Sequence, residues 1–382
     1  MKPKLKVVAA QPSWIVANDR VELAVTRLGG HMAPVTFCRG TPRPVQPYYV
    51  SPWQTERRRI DTPVLRPLRG DFFCMPFGGT NAWRGEDHTP HGETATRTWA
   101  CRSLTRLADV TCLTLTMRTT MRPGDVAKRI QLVDGQNVVY VQHVLAGFRG
   151  PMCLGHHATL AVPQREGSLR VSTAPFRLGM TCPDLFSDPA GGEYQSLAIG
   201  AEFTDLREVP TLWKDPPTAD CTSLPARKGF TDLLAVFAEP ARCPAWTTAV
   251  VAGEGYMWFS LKDPAVLPAT VMWISNRGRH GAPWDGRNRC LGLEDVCGYF
   301  AHGLAASARP NLLNRAGIPT AVRLSPRMPT VVNYVEGVVP VPRRFGRVAG
   351  ASFSPGKVTF ADEAGRAVAA AVRHEFITTG AL

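Results

Sequence analysis

The sequence has no stretch approaching the roughly 18 consecutive apolar residues of a membrane-spanning helix. Residues 1–10 hold three lysines and then only a four-residue apolar run, Val7-Val8-Ala9-Ala10. A secretory signal needs a longer apolar core and a small-residue cleavage site, so the expectation is a cytoplasmic chain without a membrane partner. Cysteine is sparse. Ten occur in 382 residues, dispersed from Cys38 to Cys297, with no CxxC pair. That excludes a zinc ribbon or thioredoxin-like site and is too thin for a disulfide scaffold. The thiols read as small buried apolar groups.

Other signatures are missing too. There is no phosphate loop, no GxSxG elbow and no dinucleotide fingerprint in a strand-to-helix setting. His88-Thr89-Pro90-His91 has an HxxH spacing, but Pro90 breaks any helix that would bring both rings to one face. Neither a metal nor a redox cofactor is expected. Lysine is scarce, with eight residues, so the formal charge of +13 comes from arginine. The basic residues are scattered, and the densest run is Arg57-Arg58-Arg59. A nucleic-acid footprint would need a basic stripe or arm, so no nucleic-acid partner is expected. Arginine-rich codon usage accounts for such a balance, and so does attraction of acidic or phosphorylated sugars.

Helical signals are few. Glu294 to Ser307 carries Val296, Phe300 and Leu304 four apart, with Pro310 beyond, and predicts a helix. Ala361 to Val372 reads either as a weaker helix or as a turn plus a strand. Strand patterns dominate. In Arg20 to Leu28, Val21, Leu23 and Val25 alternate with Glu22, Ala24 and Thr26. Val110 to Arg118 alternates threonine with apolar residues, and Asp134-Gly135 turns into Asn137 to Leu145. Leu169 to Val171, Leu233 to Phe237, Tyr256 to Leu261, Val271 to Ile274, Val331 to Val341 and Lys357 to Phe360 continue the series. Glycine (34) and proline (33) are spread along the chain, as many turns between short strands require. The fold class is all-β, a sandwich; large sandwiches often run as one unit, so one unit over 1–382 is the expectation, although length alone would allow two or three domains. Val209 to Gly229 reads as a long surface loop.

Three polar clusters stand out. Gly78 to Trp99 packs Asn81, Arg84, Glu86, Asp87, His88, His91, Glu93 and Arg97 around Trp83 and Trp99. Amides, guanidiniums and carboxylates suit sugar hydroxyls, and aromatic faces suit the C–H patches of a sugar ring. An ordinary polar loop has the same composition. The second cluster is Gly155-His156-His157. Neighbouring residues on a strand face opposite ways, so at most one of these histidines serves a given pocket. The third joins Trp273-Ile274-Ser275-Asn276-Arg277 to Leu291-Gly292-Leu293-Glu294-Asp295. There a carboxylate pair sits where a helix is expected to start, which also fits simple helix capping.

In this order the clusters resemble the galactose-mutarotase-like (aldose 1-epimerase-like) family. Val21 to Phe37 has a Gly29-Gly30 turn like that of the family's early strands. His91-Gly92 precedes Trp99 and follows Asn81. His156 or His157 stands where a second site histidine falls, and Leu293-Glu294 matches a late apolar-Glu segment. The chain departs from the family in having G-H-H-A-T-L around the second histidine, and Asp232 is only a loose counterpart of a sugar-binding aspartate. The resemblance implies a large antiparallel β-supersandwich that interconverts sugar anomers without a cofactor. It casts Glu294 as base and His156 or His157 as acid. His91, Asn81, Arg84, Arg97, Trp99, Asp232 and Trp273 become the sugar-binding set. A sugar-binding protein without catalysis, or a lyase or hydrolase acting on an acidic glycan, are the alternatives. Hydrolysis wants two opposed carboxylates, which the adjacent Glu294 and Asp295 do not supply.

Overall fold

The computed structural model describes residues 3–79 and 81–382. Strand takes about 47% of the residues and helix about 8%, so the all-β expectation holds. The sandwich is built from two large antiparallel sheets. One has nine strands, in the order Ser223–Leu224, Leu169–Thr173, Ala245–Val251, Tyr256–Lys262, Thr330–Pro340, Val138–Ala146, Gly124–Val133, Val110–Thr119 and Ala100–Leu107. The other runs Glu202–Phe203, Phe176–Thr181, Phe230–Ala238, Ala269–Asn276, Arg289–Cys297, Leu154–His156 and Phe73–Cys74, with Ala158–Ala161 also paired to Arg289–Cys297. Among the described residues no helix is long and apolar enough to cross a membrane. Seven of the ten cysteines are buried.

Burial follows the sequence pattern where one sheet face is wet. In Val110–Thr119 the buried apolar residues are Leu113, Leu115 and Met117, and the residues between them are only partly covered. Ala245–Val251 and Tyr256–Lys262 are buried at every position. Their inner face meets the eight-stranded sheet. Their outer face is covered by the three-stranded sheet of Val348–Ser354, Lys357–Asp362 and Ala367–Ala371 and by the short helix Phe376–Thr379, through Val358, Phe360, Phe376 and Ile377. A strand covered on both faces loses its alternation and reads as a continuous apolar run.

The same effect overturns the expected helix at Glu294 to Ser307. Arg289–Cys297 is a strand, and helix is confined to Gly303–Ala308. The strand is flanked by Ala269–Asn276 on one side and by Leu154–His156 and Ala158–Ala161 on the other. Every residue after Arg289 is buried, so the four-residue spacing of Val296, Phe300 and Leu304 spans a strand, a turn and a helix. Ala361 to Val372 is the turn plus strand. The Val209 to Gly229 stretch contains three two-residue strands, and its Val209 and Leu224 are buried, so it is more than a surface loop.

Candidate active site

The middle of the eight-stranded sheet positions the chemistry. In the register of Ala269–Asn276 with Arg289–Cys297, Trp273 lies opposite Gly292 and Val271 opposite Glu294. Positions two apart share a sheet face, so Trp273 and Glu294 project to the same side. Gly292 makes this possible. A Cβ there would lie 2.6 Å from Glu294 Oε1 and 3.1 Å from Trp273 Cβ. The missing side chain leaves room for the carboxyl to fold over the strand.

On that side is a cavity of about 350 Å³ whose lining includes His91, His157, Glu294, Trp273, Phe72, Glu193, Arg279 and Trp284. Small-molecule sites span about 300–1,000 Å³, so the space suits one small ligand. His157 Nε2 is 3.2 Å from Glu294 Oε1. The other ring nitrogen, Nδ1, is 3.2 Å from Thr159 Oγ1. The His157 ring stacks on Phe72 at 4.6 Å, and Phe72 stacks in turn on His31 at 4.1 Å. His91 meets the His157 ring edge-on at 5.0 Å, with its Nδ1 3.3 Å from Cys74 Sγ.

Burial controls the charges here, because a low-dielectric surround disfavours every ionised form. It pushes the Glu294 carboxyl up to about 8. It drives His157 well below the usual imidazole range, assisted by the neighbouring His91. His91 itself is lowered to about 4. Near neutral pH the Glu294–His157 pair therefore shares one proton, held mainly on the carboxyl. Arg279 donates to Glu193 at 2.7 Å and lies over Phe186 at 4.4 Å, so a guanidinium and a carboxylate meet as a neutralised pair at the cavity wall.

His156 faces the other way, as neighbouring strand positions must. Its Nδ1 is 2.8 Å from Asp71 Oδ2 and its ring stacks on Tyr334 at 4.0 Å, within the sandwich. Asp295 also points inward, accepting from Ser260, Thr270 and Tyr334 and pairing with Lys262 at 2.6 Å.

Several expected sugar contacts lie outside this cavity, each with another partner. Asn81 donates to the Gly78 carbonyl and accepts from Leu304 N–H, both at 2.8 Å. Arg84 lies 5.0 Å over the Trp83 ring. Arg97 pairs with Glu93 and donates to Thr120 Oγ1 at 2.6 Å. Trp99 is buried and donates to the Thr94 carbonyl at 2.9 Å. Asp232 accepts from the backbone of Ser196 and Leu197 and from the Ser196 hydroxyl, at 2.6–2.9 Å. Asn81, Trp99 and Asp232 therefore satisfy backbone groups of the frame, whereas Arg84 and Arg97 are exposed. Phe72, Glu193, Arg279 and Trp284 line the cavity without having stood out in the sequence. Among the described residues no three metal-ligating side chains come together.

The molecule has the galactose-mutarotase-like fold. A galactose mutarotase-like protein from Clostridium acetobutylicum matches it with a TM-score of 0.58 at 12% identity, over 88% of this chain and 98% of that one. A galactose mutarotase related enzyme from Lactobacillus acidophilus matches at 0.54 and 9%, over 86% and 98%. A proposed aldose 1-epimerase from Escherichia coli K12 matches at 0.56 and 14%, over 87% and 100%. No protein-family model and no curated protein sequence matches the chain. At these identities the likeness is one of fold, and fold alone does not fix an activity.

Proposed function

We propose that the cavity binds a cyclic sugar and interconverts its anomers, with Glu294 and His157 as the proton-transfer pair. The observation that carries this reading is the pair itself. A buried carboxyl and a buried imidazole lie 3.2 Å apart on the wall of an aromatic-lined cavity. Ring opening needs one proton taken from O1 and one given to the ring oxygen, and reclosure reverses both transfers. Two groups sharing one proton meet that demand without a cofactor. Burial rests the proton on Glu294, so in the free protein the carboxyl is the donor and His157 the acceptor. After one ring opening the roles are exchanged, which is the arrangement the family resemblance implies. The reaction is reversible and uses both.

Trp273 and Trp284 offer faces for the apolar side of a sugar ring. The Arg279–Glu193 pair and the neutral His91 offer donors and acceptors for hydroxyls. The test is polarimetry or exchange NMR on a panel of aldoses and sugar phosphates. At least one sugar should interconvert faster than in buffer, and His157→Asn should abolish the gain. If a sugar binds but none is accelerated, the cavity is a recognition site and the catalytic reading fails.

A further inference from the structure

The arginine excess is unevenly neutralised, and one place shows it plainly. The loop joining Ala269–Asn276 to Arg289–Cys297 carries Arg277, Arg279 and Arg287, and Arg289 opens the second strand. Arg279 is matched by Glu193, and Arg287 by Glu56 and Asp285. Arg277 and Arg289 have no acidic partner among the described residues. Both line an open cleft of about 670 Å³, together with Arg227 and Lys228, which are likewise without an acidic partner. Glu166 is the one carboxylate in its lining. Four cations against one anion leave a net +3 around a cleft of ligand size.

The cleft is built by tertiary contacts. Asn276 donates to the Ala226 carbonyl at 2.7 Å and Gly229 N–H donates to the Asn276 carbonyl at 2.7 Å, tying the Arg227-Lys228 turn to the strand end. Arg289 is aimed by its Nε, which donates to the Val162 carbonyl at 2.6 Å. Among the described residues its two terminal nitrogens have no hydrogen-bond partner. Arg227 is fixed over the rings of Trp213 and Phe230 at 5.0 and 5.2 Å. Arg277 has a left-handed backbone, with φ of +60°, where glycine would be less strained. Holding like charges together opposes folding, and a strained backbone adds to that cost, so such features concentrate where a ligand offsets them.

We infer that this cleft is an anion site for a small ligand carrying phosphate or sulfate groups. Guanidiniums present paired N–H donors that match such groups bidentately. No residue lines both this cleft and the cavity holding Glu294, so the inference stands apart from the proposed chemistry.

The experiment is calorimetric titration of the full chain with inorganic pyrophosphate and with a sulfated disaccharide, against sodium chloride of equal ionic strength. Saturable binding is expected at roughly millimolar dissociation constants or tighter, weakening as salt rises. Binding of only one probe identifies which group the site takes. The variant Arg227→Gln/Lys228→Gln/Arg277→Gly alters exposed side chains and keeps a backbone that tolerates positive φ. It should melt at or above the wild-type temperature and bind at least about tenfold more weakly, since each lost contact is worth a few-fold. Glu166→Gln should tighten binding. Lack of saturation with both probes, or equal affinity in the triple variant, would overturn the inference.

Discussion

Replacing Glu294 by glutamine should make the protein more stable relative to wild type as pH rises. The carboxyl is displaced from 4.5 to about 8 by burial. Below the lower value both the folded and the unfolded chain hold the proton, and the group contributes nothing. Between the two values the folded chain keeps a proton that the unfolded chain has released. The folded state then binds more protons, so its stability falls with pH, at about 1.36 kcal/mol per pH unit. Over the whole window the loss is about 5 kcal/mol, and between about pH 5.5 and 7.5 it is about 3 kcal/mol. Glutamine does not titrate, so the variant escapes this loss. The lowered proton affinity of His157 acts in the opposite direction, but only below its ordinary range, so the upper half of the window reports the carboxyl alone. Urea denaturation at several pH values, followed by tryptophan fluorescence, measures the gap. A gap that stays constant within about 0.5 kcal/mol across this range, or that narrows, refutes the buried, proton-holding carboxyl. The same substitution should slow anomer exchange, because a lost proton-transfer group is worth roughly 10²–10⁴-fold.

The two adjacent histidines should separate cleanly. His156→Asn leaves Asp71 buried without its imidazole and should cost about 3 kcal/mol of stability, with exchange per folded molecule unchanged, whereas His157→Asn should do the reverse by roughly 10²–10⁴ in rate. Thermal melts paired with single-sugar kinetics distinguish them. Gly292→Ala should lower kcat by about 10²-fold through displacement of the Glu294 carboxyl, while circular dichroism shows an intact sheet. Wild-type kinetics in that variant would mean that the carboxyl position is not critical.

The sequence carried the strands wherever one sheet face is wet, because threonine and leucine alternate openly in Val110–Thr119. It misled at Arg289–Cys297, which is covered on both faces and has no period left to read. For the site, adjacency on a strand was decisive. His156 and His157 had to face opposite ways, and only His157 reaches the cavity. Glu294 and Trp273 were visible as chemistry at the end of an apolar run. Phe72, Glu193, Arg279 and Trp284 were not, since they come from distant loops and strands that only the assembled sheet brings together. Asn81, Arg97 and Asp232 had the right composition for sugar binding. The polar atoms of Asn81 and Asp232 are taken up by Leu304 and Ser196, and one nitrogen of the exposed Arg97 by Glu93 and Thr120, and no local pattern tells a side chain that satisfies the frame from one that waits for a ligand.

Thr330–Pro340 occupies the centre of the nine-stranded sheet, between Val138–Ala146 and Tyr256–Lys262. The sheet is therefore two separate groups of strands until this segment inserts. One of its partners lies almost two hundred residues earlier in the chain, as the pairing of Val141 with Tyr334 illustrates. Closing so long a loop delays the step. In the meantime both waiting edges are apolar and unpaired, open to the wrong strand or to another molecule. Recovery of folded protein from the denatured state should thus be limited by a race between insertion of this strand and aggregation. Low protein concentration should raise the refolding yield while leaving the equilibrium midpoint unmoved.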